Sequence, residues 1–258
     1  MAWKNIQFAR EGQLAYVTMN RPERRNALSL EHLQELLDCF RGIGQEAGVR
    51  VAILRANGPA FSAGHDLSEM VDREPAFYQQ LFQVCTEVME TLHAIPQPVI
   101  AQVQGVATAA GCQLAAACDI VMATPEARFA TPGVKIGLFC STPMVEVSRS
   151  VGAKKTMEML LTGELISAQE ALAAGLVNRI VPAADLAQAT RELAEKIAGF
   201  SASVVALGKR AFYQQLQLPR PMAYAYTQEV MCANAGAADA QEGMKAFLQK
   251  RPPKWPTR

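Results

Sequence analysis

Histidine is scarce in this chain, with three residues at positions 32, 65 and 93 among 258. No two of them have the HxxxH spacing of a helical metal site, and the six cysteines form no CxxC pair. A site rich in His or Cys ligands is therefore not expected, and we predict no metal centre. In a chain of this size, such cysteines are typical of reduced, mostly buried thiols.

The chain also lacks an excess of charge and long apolar runs. Its 25 basic and 24 acidic residues give a net charge of +1, without a basic stripe that would indicate a nucleic-acid partner. No apolar run approaches membrane-spanning length, and the first residues, MAWKNIQFAREG, lack the apolar core of a secretory signal. From these absences we predict a cytoplasmic protein without a membrane span.

Three familiar motifs are absent on closer inspection. GIGQEA (42–47) matches a loose dinucleotide fingerprint, but it ends a predicted helix instead of following a strand. QGVATAAGC (104–112) lacks the lysine of a phosphate-binding loop. Ser62, His65 and Asp66 are too close along one loop to converge as a catalytic triad, because neighbouring side chains on a loop diverge.

Hydrophobic periodicity predicts an α/β core followed by helices. Strands are predicted as a hairpin within 5–19 and at 51–56, 99–103 and 120–123. Helices are predicted after an N-cap at Ser29, over 77–92, from about Ala110, after a capping box at Ser167 that ends at Gly175, and near 186–199, 203–216, 221–235 and 239–250. We predict a division into an α/β core with the binding site (1–182) and a helical oligomerisation region (183–258).

Two loops contain the most distinctive chemistry. The two loops are PAFSAGHDL (59–67) and VQGVATAAGCQLAAACDI (103–120). In each loop a strand-like run ends in small residues, whose side chains leave the backbone amides accessible. These and four further blocks resemble, in order, the crotonase (enoyl-CoA hydratase/isomerase) superfamily. The six blocks are 20–29, 51–67, 98–120, 127–138, 162–181 and 242–251. GLFCSTP (137–143) is also similar to one subfamily, the enoyl-CoA hydratase domain-containing proteins 3.

The resemblance implies a fold and a ligand. The fold is a spiral of β-β-α repeats with C-terminal helices that form trimers, often paired as hexamers. The ligand is an acyl-CoA thioester, with coenzyme A as part of the substrate and no covalently bound cofactor. By resemblance, the backbone amides of His65 and Ala110 form an oxyanion hole. The residues implied in coenzyme A binding are Ser62, Ala63, Gly64, Asp66 and Leu67, with Phe247 and Lys250 completing a neighbouring subunit's site.

The departure from the superfamily concerns proton transfer. The two glutamates of a hydratase correspond here to Gln113 and Gly133, neither of which exchanges a proton near pH 7. General acid–base groups contribute about 10²–10⁴ in rate, so ordinary hydration is expected to be weak or absent. Three hypotheses follow: an acyl-CoA protein that relies on enolate stabilisation, a catalytically silent acyl-CoA binder with a regulatory or scaffolding role, or a hydratase or isomerase with a displaced base such as Glu146. A charged residue on an exposed or subunit-facing side of a helix is the alternative for Glu146.

Overall fold

The computed structural model describes residues 3–255 as ten α-helices and nine β-strands, with short 3-10 turns between them. The strands are β1 Ile6–Glu11, β2 Leu14–Met19, β3 Val51–Ala56, β4 Val99–Val103, β5 Val106–Thr108, β6 Ile120–Ala123, β7 Arg128–Ala130, β8 Ile166–Ser167 and β9 Arg179–Ile180. The helices are α1 Leu30–Gln45, α2 Pro75–Ala94, α3 Ala110–Ala117, α4 Pro143–Ser150, α5 Ala153–Thr162, α6 Ala168–Ala174, α7 Leu186–Ala198, α8 Ala202–Gln215, α9 Arg220–Gly236 and α10 Ala238–Leu248.

Two sheets organise the core. The larger has the strand order β1-β2-β3-β4-β6-β9, antiparallel between β1 and β2 and parallel elsewhere. The smaller has the order β5-β7-β8. All six residues of β2 are buried, as expected for a strand covered on both faces. The predicted α/β class is therefore confirmed.

Helices cover the two faces of the larger sheet. Ala15, Val17 and Met19 of β2 belong to the main core, which α1 and α2 share. Leu14 and Tyr16 point to the other face and pack in a second cluster with residues of α7. The first of the C-terminal helices thus contributes directly to the packing of the sheet.

The local start and stop patterns match the predicted elements. The Ser29 hydroxyl accepts the His32 N–H at the start of α1, and Ser167 and Glu170 form the predicted capping box of α6. Gly175 ends α6 in the left-handed conformation, at φ +93°. The predicted helices near 186–199, 203–216, 221–235 and 239–250 are confirmed within a few residues as α7 to α10.

A buried ion pair attaches α8 to the core. Lys209 Nζ donates to Asp119 Oδ2 at 2.7 Å and also to the carbonyls of Leu92 and Gln97. Tyr213 on the same helix donates to Asp119 Oδ1 at 2.8 Å. Across residues 3–255, none of the helices is long and apolar enough to cross a membrane.

Candidate active site

The two loops singled out in the sequence lie directly against each other. Ser62 pairs with Ala107 in a parallel bridge: its N–H donates to Val106 at 3.1 Å, and its carbonyl accepts from Thr108 at 2.9 Å. Gly111 has no room for a side chain, because a Cβ would lie 2.7 Å from Ser62 Cβ. The tertiary fold therefore fixes the end of one loop against the beginning of α3.

Two backbone N–H groups are left free where these loops meet. Neither the His65 N–H nor the Ala110 N–H donates a hydrogen bond to any group in residues 3–255. Ala110 is the first residue of α3, where a backbone N–H has no helical partner and the helix dipole favours negative charge. A Cβ built on Gly64, at φ +90°, would lie 3.4 Å from Ala110 N. The two donors therefore occupy neighbouring positions, as an oxyanion hole requires.

Backbone strain is concentrated at Ala109. This residue has φ +49° and ψ −120°, a conformation that normally favours glycine and that costs about 1–3 kcal/mol elsewhere. Its own N–H donates to Ala130 at 2.9 Å, which holds the turn in place. The alanine at 110, where the superfamily usually has glycine, is in regular helix and retains its N–H. The strain thus falls one residue before the donor.

An apolar cavity of about 430 Å³ is lined by His65 and Ala110, the residues that carry the two N–H groups, among others. Its lining consists mainly of apolar side chains from the two loops, α2 and the segment before α4. These residues are Ala63, His65, Leu67, Phe82, Ala109, Ala110, Pro132, Gly133, Lys135, Ile136, Leu138, Phe139, Cys140, Ser141, Thr142 and Pro143. As far as the structure describes the chain, no carboxylate lines this cavity. A bound acyl group would therefore have two polarising donors but no acidic side chain beside it.

The imidazole of His65 packs in the cavity wall against Phe82. The two rings are edge-to-face, with centroids 5.4 Å apart. Both ring nitrogens are buried without a hydrogen-bond partner among residues 3–255. Burial lowers the pKa of His65 to about 4, so the ring is neutral near pH 7. Sequence reasoning missed Phe82, whose spacing on α2 does not match the buried apolar face.

The segment before α4 fills the space beside Gly133. A Cβ at this position would overlap the carbonyl oxygen of Leu138 and would lie 2.8 Å from Cys140 Sγ. The backbone here is closed by two hydrogen bonds: Leu138 donates to the Gly133 carbonyl at 3.0 Å, and the Gly133 N–H donates to Cys140 Sγ at 3.3 Å. The space beside Gly133, which the resemblance aligns with the second glutamate, is therefore occupied by a neighbouring loop, and a larger side chain does not fit.

Gln113 lies in the protein interior. It is on α3, one turn after Ala110, and 3% of its surface is exposed. Its Oε1 faces Cys85 Sγ on α2, at 4.0 Å. Gln113 is not among the residues that line the cavity. Gln113, which the resemblance aligns with the first glutamate, is thus a neutral amide that packs between two helices.

Glu146 lies on α4 and is not among the residues that line the cavity. Its Oε2 is 3.6 Å from His93 Nε2, and 13% of its side chain is exposed. Burial raises the pKa of Glu146 and lowers that of His93, whose ring stacks on Tyr213 at 4.0 Å between centroids. The structure therefore brings Glu146 together with His93 and α8, and does not bring it to the two N–H donors.

The remaining residues predicted to bind coenzyme A lie in three environments: the cavity lining, the loop that contains Ser62 and Asp66, and the C-terminal end of the chain. Ala63 and Leu67 line the cavity. The Ser62 hydroxyl donates to the Asn26 carbonyl at 2.9 Å, and Asp66 forms a 3.0 Å ion pair with Arg21, so both fix the loop that contains them.

Two predicted residues lie outside the cavity lining, at the end of the chain. Phe247 on α10 is 82% exposed, and Lys250 follows that helix with φ +54°. Within one copy of the chain, neither residue reaches the site.

Comparison with known proteins settles the family. The enoyl-CoA hydratase/isomerase model matches residues 9–258. The chain belongs to the enoyl-CoA hydratase/isomerase family. It is 48% identical over 240 residues to the mouse protein named enoyl-CoA hydratase domain-containing protein 3, mitochondrial, covering 93% of this chain and 80% of that one. The human protein of the same name is also 48% identical, with 93% and 79% covered.

Solved structures give the same result for the fold. An enoyl-CoA hydratase from Mycobacterium smegmatis superposes with a TM-score of 0.95 at 44% identity, covering 98% of this chain and 99% of that one. Human enoyl-CoA hydratase domain-containing protein 3 also gives 0.95, at 45% identity, covering 98% and 100%. The predicted crotonase-like fold and the resemblance to this subfamily are confirmed.

One prediction is wrong. The composition and the N-terminal residues favoured a cytoplasmic location, but the mouse, rat and human relatives are all named mitochondrial. The first residues lack an apolar secretory core, and this absence argues only against secretion. It therefore carried no information against an organelle, and the cytoplasmic assignment is withdrawn.

Proposed function

We propose that this family member binds acyl-CoA thioesters with the thioester carbonyl between the N–H groups of His65 and Ala110. Two free N–H donors beside an apolar cavity carry this proposal. Such donors stabilise an oxyanion more strongly than a neutral carbonyl, and removing one typically costs about 10²–10³ in rate. The site is therefore suited to reactions that pass through an enolate or a tetrahedral oxyanion.

We further propose that ordinary hydration of enoyl-CoA is weak or absent. Hydration needs a base to activate water and an acid to protonate carbon, and Gln113 and Gly133 provide neither. Among the described residues, the cavity lining also contains no Asp or Glu that could replace them. Decarboxylation or thioester cleavage needs fewer protein proton donors and remains compatible with this arrangement.

No observation favours the hydratase alternative based on Glu146, since that side chain contacts His93 and does not line the cavity. A silent acyl-CoA binder shares the same site and differs only in turnover. We keep the homotrimer or hexamer, and the role of Phe247 and Lys250 in a neighbouring subunit's site, as proposals that rest on the resemblance.

Binding and turnover test these proposals separately. Titration calorimetry with butyryl-CoA and with free coenzyme A should show that the thioester adds affinity, because only the thioester has the carbonyl that the two N–H groups receive. Failure of butyryl-CoA to bind at millimolar concentration would contradict the proposed site. Turnover of crotonyl-CoA at rates typical of hydratases would contradict the proposed loss of hydration.

A further inference from the structure

Three ionisable side chains line the cavity, those of His65, Lys135 and Cys140. Lys135 is exposed to solvent, and the low pKa of His65 keeps its ring without an extra proton near pH 7. Cys140 is 6% exposed, and its thiol is inside the site. Cys140 is therefore the enclosed group that still carries a transferable proton at neutral pH.

The Cys140 thiol lies close to position 133, where the family resemblance places a glutamate. Cys140 Sγ lies 2.8 Å from the point where a Cβ of residue 133 would begin. The family resemblance assigns the base and the proton donor to the two glutamate positions together, and one of these, position 133, is a glycine without a side chain. The sulfur thus lies within 2.8 Å of the place from which a side chain at 133 would extend, and Cys140 lines the same cavity as His65 and Ala110.

The surroundings of the sulfur suit a proton donor better than a nucleophile. Burial raises the pKa of the Cys140 thiol, so it stays protonated near pH 7. The Gly133 N–H points at Sγ, at 3.3 Å, and would stabilise the thiolate that remains after proton transfer. An enolate carbon is a strong base and accepts a proton from such a thiol.

We propose that Cys140 is a catalytic residue that delivers a proton to the α-carbon of an enolate formed in this cavity. This inference rests on the proposed function. With a malonyl-type thioester, the bond from the α-carbon to the carboxylate breaks and carbon dioxide leaves. The electron pair moves into the enolate, whose oxygen is held by the N–H groups of His65 and Ala110. The α-carbon then takes the proton of Cys140, and the thiolate regains one from water.

The test uses methylmalonyl-CoA in deuterium oxide, with release of carbon dioxide and the configuration of the deuterated propionyl-CoA as readouts. The wild-type protein should release carbon dioxide and deuterate one face of the α-carbon. Cys140→Ala should lose about 10²–10⁴ in rate, and its residual product should be deuterated on both faces by solvent. Cys140→Ser should be slower than wild type but keep the configuration, because a hydroxyl in the same place is a weaker acid.

Cys39→Ala is the matched control, since it also removes a buried thiol, from α1, and should stay within about threefold of wild type. Butyryl-CoA affinity, measured for every variant, separates the two proposals. Absent binding by wild type overturns the proposed function. Normal binding with no carbon dioxide release, or with the same rate and configuration in Cys140→Ala, overturns the role of Cys140 alone.

Discussion

Two parts of this site, the loops that carry the unpaired N–H groups and the positions of Gln113 and Gly133, differ in the chemical groups that they provide. The donor loops (62–65 and 107–111) leave two backbone N–H groups unpaired at the cavity. Gln113 and Gly133, which the resemblance aligns with the hydratase glutamates, are closely packed, one between helices and the other against the loop at Leu138. Backbone donors depend on the fold itself, whereas proton transfer depends on individual side chains. Under the proposed function, this fold would therefore polarise a carbonyl while lacking general acid–base catalysis by the two glutamates.

The largest effect is expected from Gly64→Ala in the donor loops. Gly64 has φ +90°, and a Cβ would lie 2.9 Å from both Ala109 Cβ and the Thr108 carbonyl. The left-handed conformation costs about 1–2 kcal/mol and the crowding about 1–3 kcal/mol. We expect a loss of about 2–5 kcal/mol in the free energy of unfolding, measured in urea, and loss of butyryl-CoA affinity as the loops separate.

Gly12→Ala is the control for this prediction. Gly12 also has positive φ, at +60°, but apart from its chain neighbours no atom of residues 3–255 lies within 4 Å of its Cβ position. Only the conformational cost of about 1–2 kcal/mol should therefore appear, with unchanged affinity. Equal effects of the two substitutions on affinity would show that close approach of the loops is not needed for binding.

A smaller effect is expected when glutamates are restored at the closed positions. Gln113→Glu with Gly133→Glu should not produce crotonyl-CoA hydration, because the Cβ at 133 overlaps the Leu138 carbonyl. Overpacking should lower the free energy of unfolding by about 1–3 kcal/mol. Gly133→Ala isolates the effect of the Cβ from that of the carboxylate. A double variant that hydrates crotonyl-CoA would show that only the carboxylates were missing.

The smallest effect on binding is expected from His65→Leu, which removes a side chain but keeps the backbone donor. Butyryl-CoA affinity should stay within about threefold of wild type, since the oxyanion contact is an N–H of the main chain. A loss of 100-fold or more would show that the imidazole itself contacts the ligand, and would contradict the assignment of a purely backbone role.

The same variant has a defined pH dependence. Unfolded His65 takes up a proton near pH 6.5, whereas its pKa in the folded protein is about 4. The stabilisation from neutral His65 is therefore complete above pH 6.5 and is lost as the pH falls towards 4. Between pH 7.5 and pH 5, the free energy of unfolding in urea should therefore fall by about 1–2 kcal/mol less for His65→Leu than for the wild-type protein. The pKa of His32 is also lowered, to about 4, and His32 contributes equally to the pH dependence of both proteins.

Much of the fold was predictable because its signals are local. The apolar spacing of α1, the N-cap at Ser29 and the stop at Gly175 each depend on residues within a few positions of one another. The same holds for the short strands, such as β3 at Val51–Ala56. The role of α7 in covering the second face of the sheet was not predictable, because it depends on contacts between distant segments.

The sequence by itself determined the family, the small-residue loops and the absence of glutamate at positions 113 and 133. Only the tertiary structure decided which groups take up the space around those positions. It placed Glu146 against His93, put the strained turn at Ala109 and brought Cys140 Sγ to Gly133. Residue identity is local information, whereas the occupant of a site depends on segments that meet only when the chain is packed.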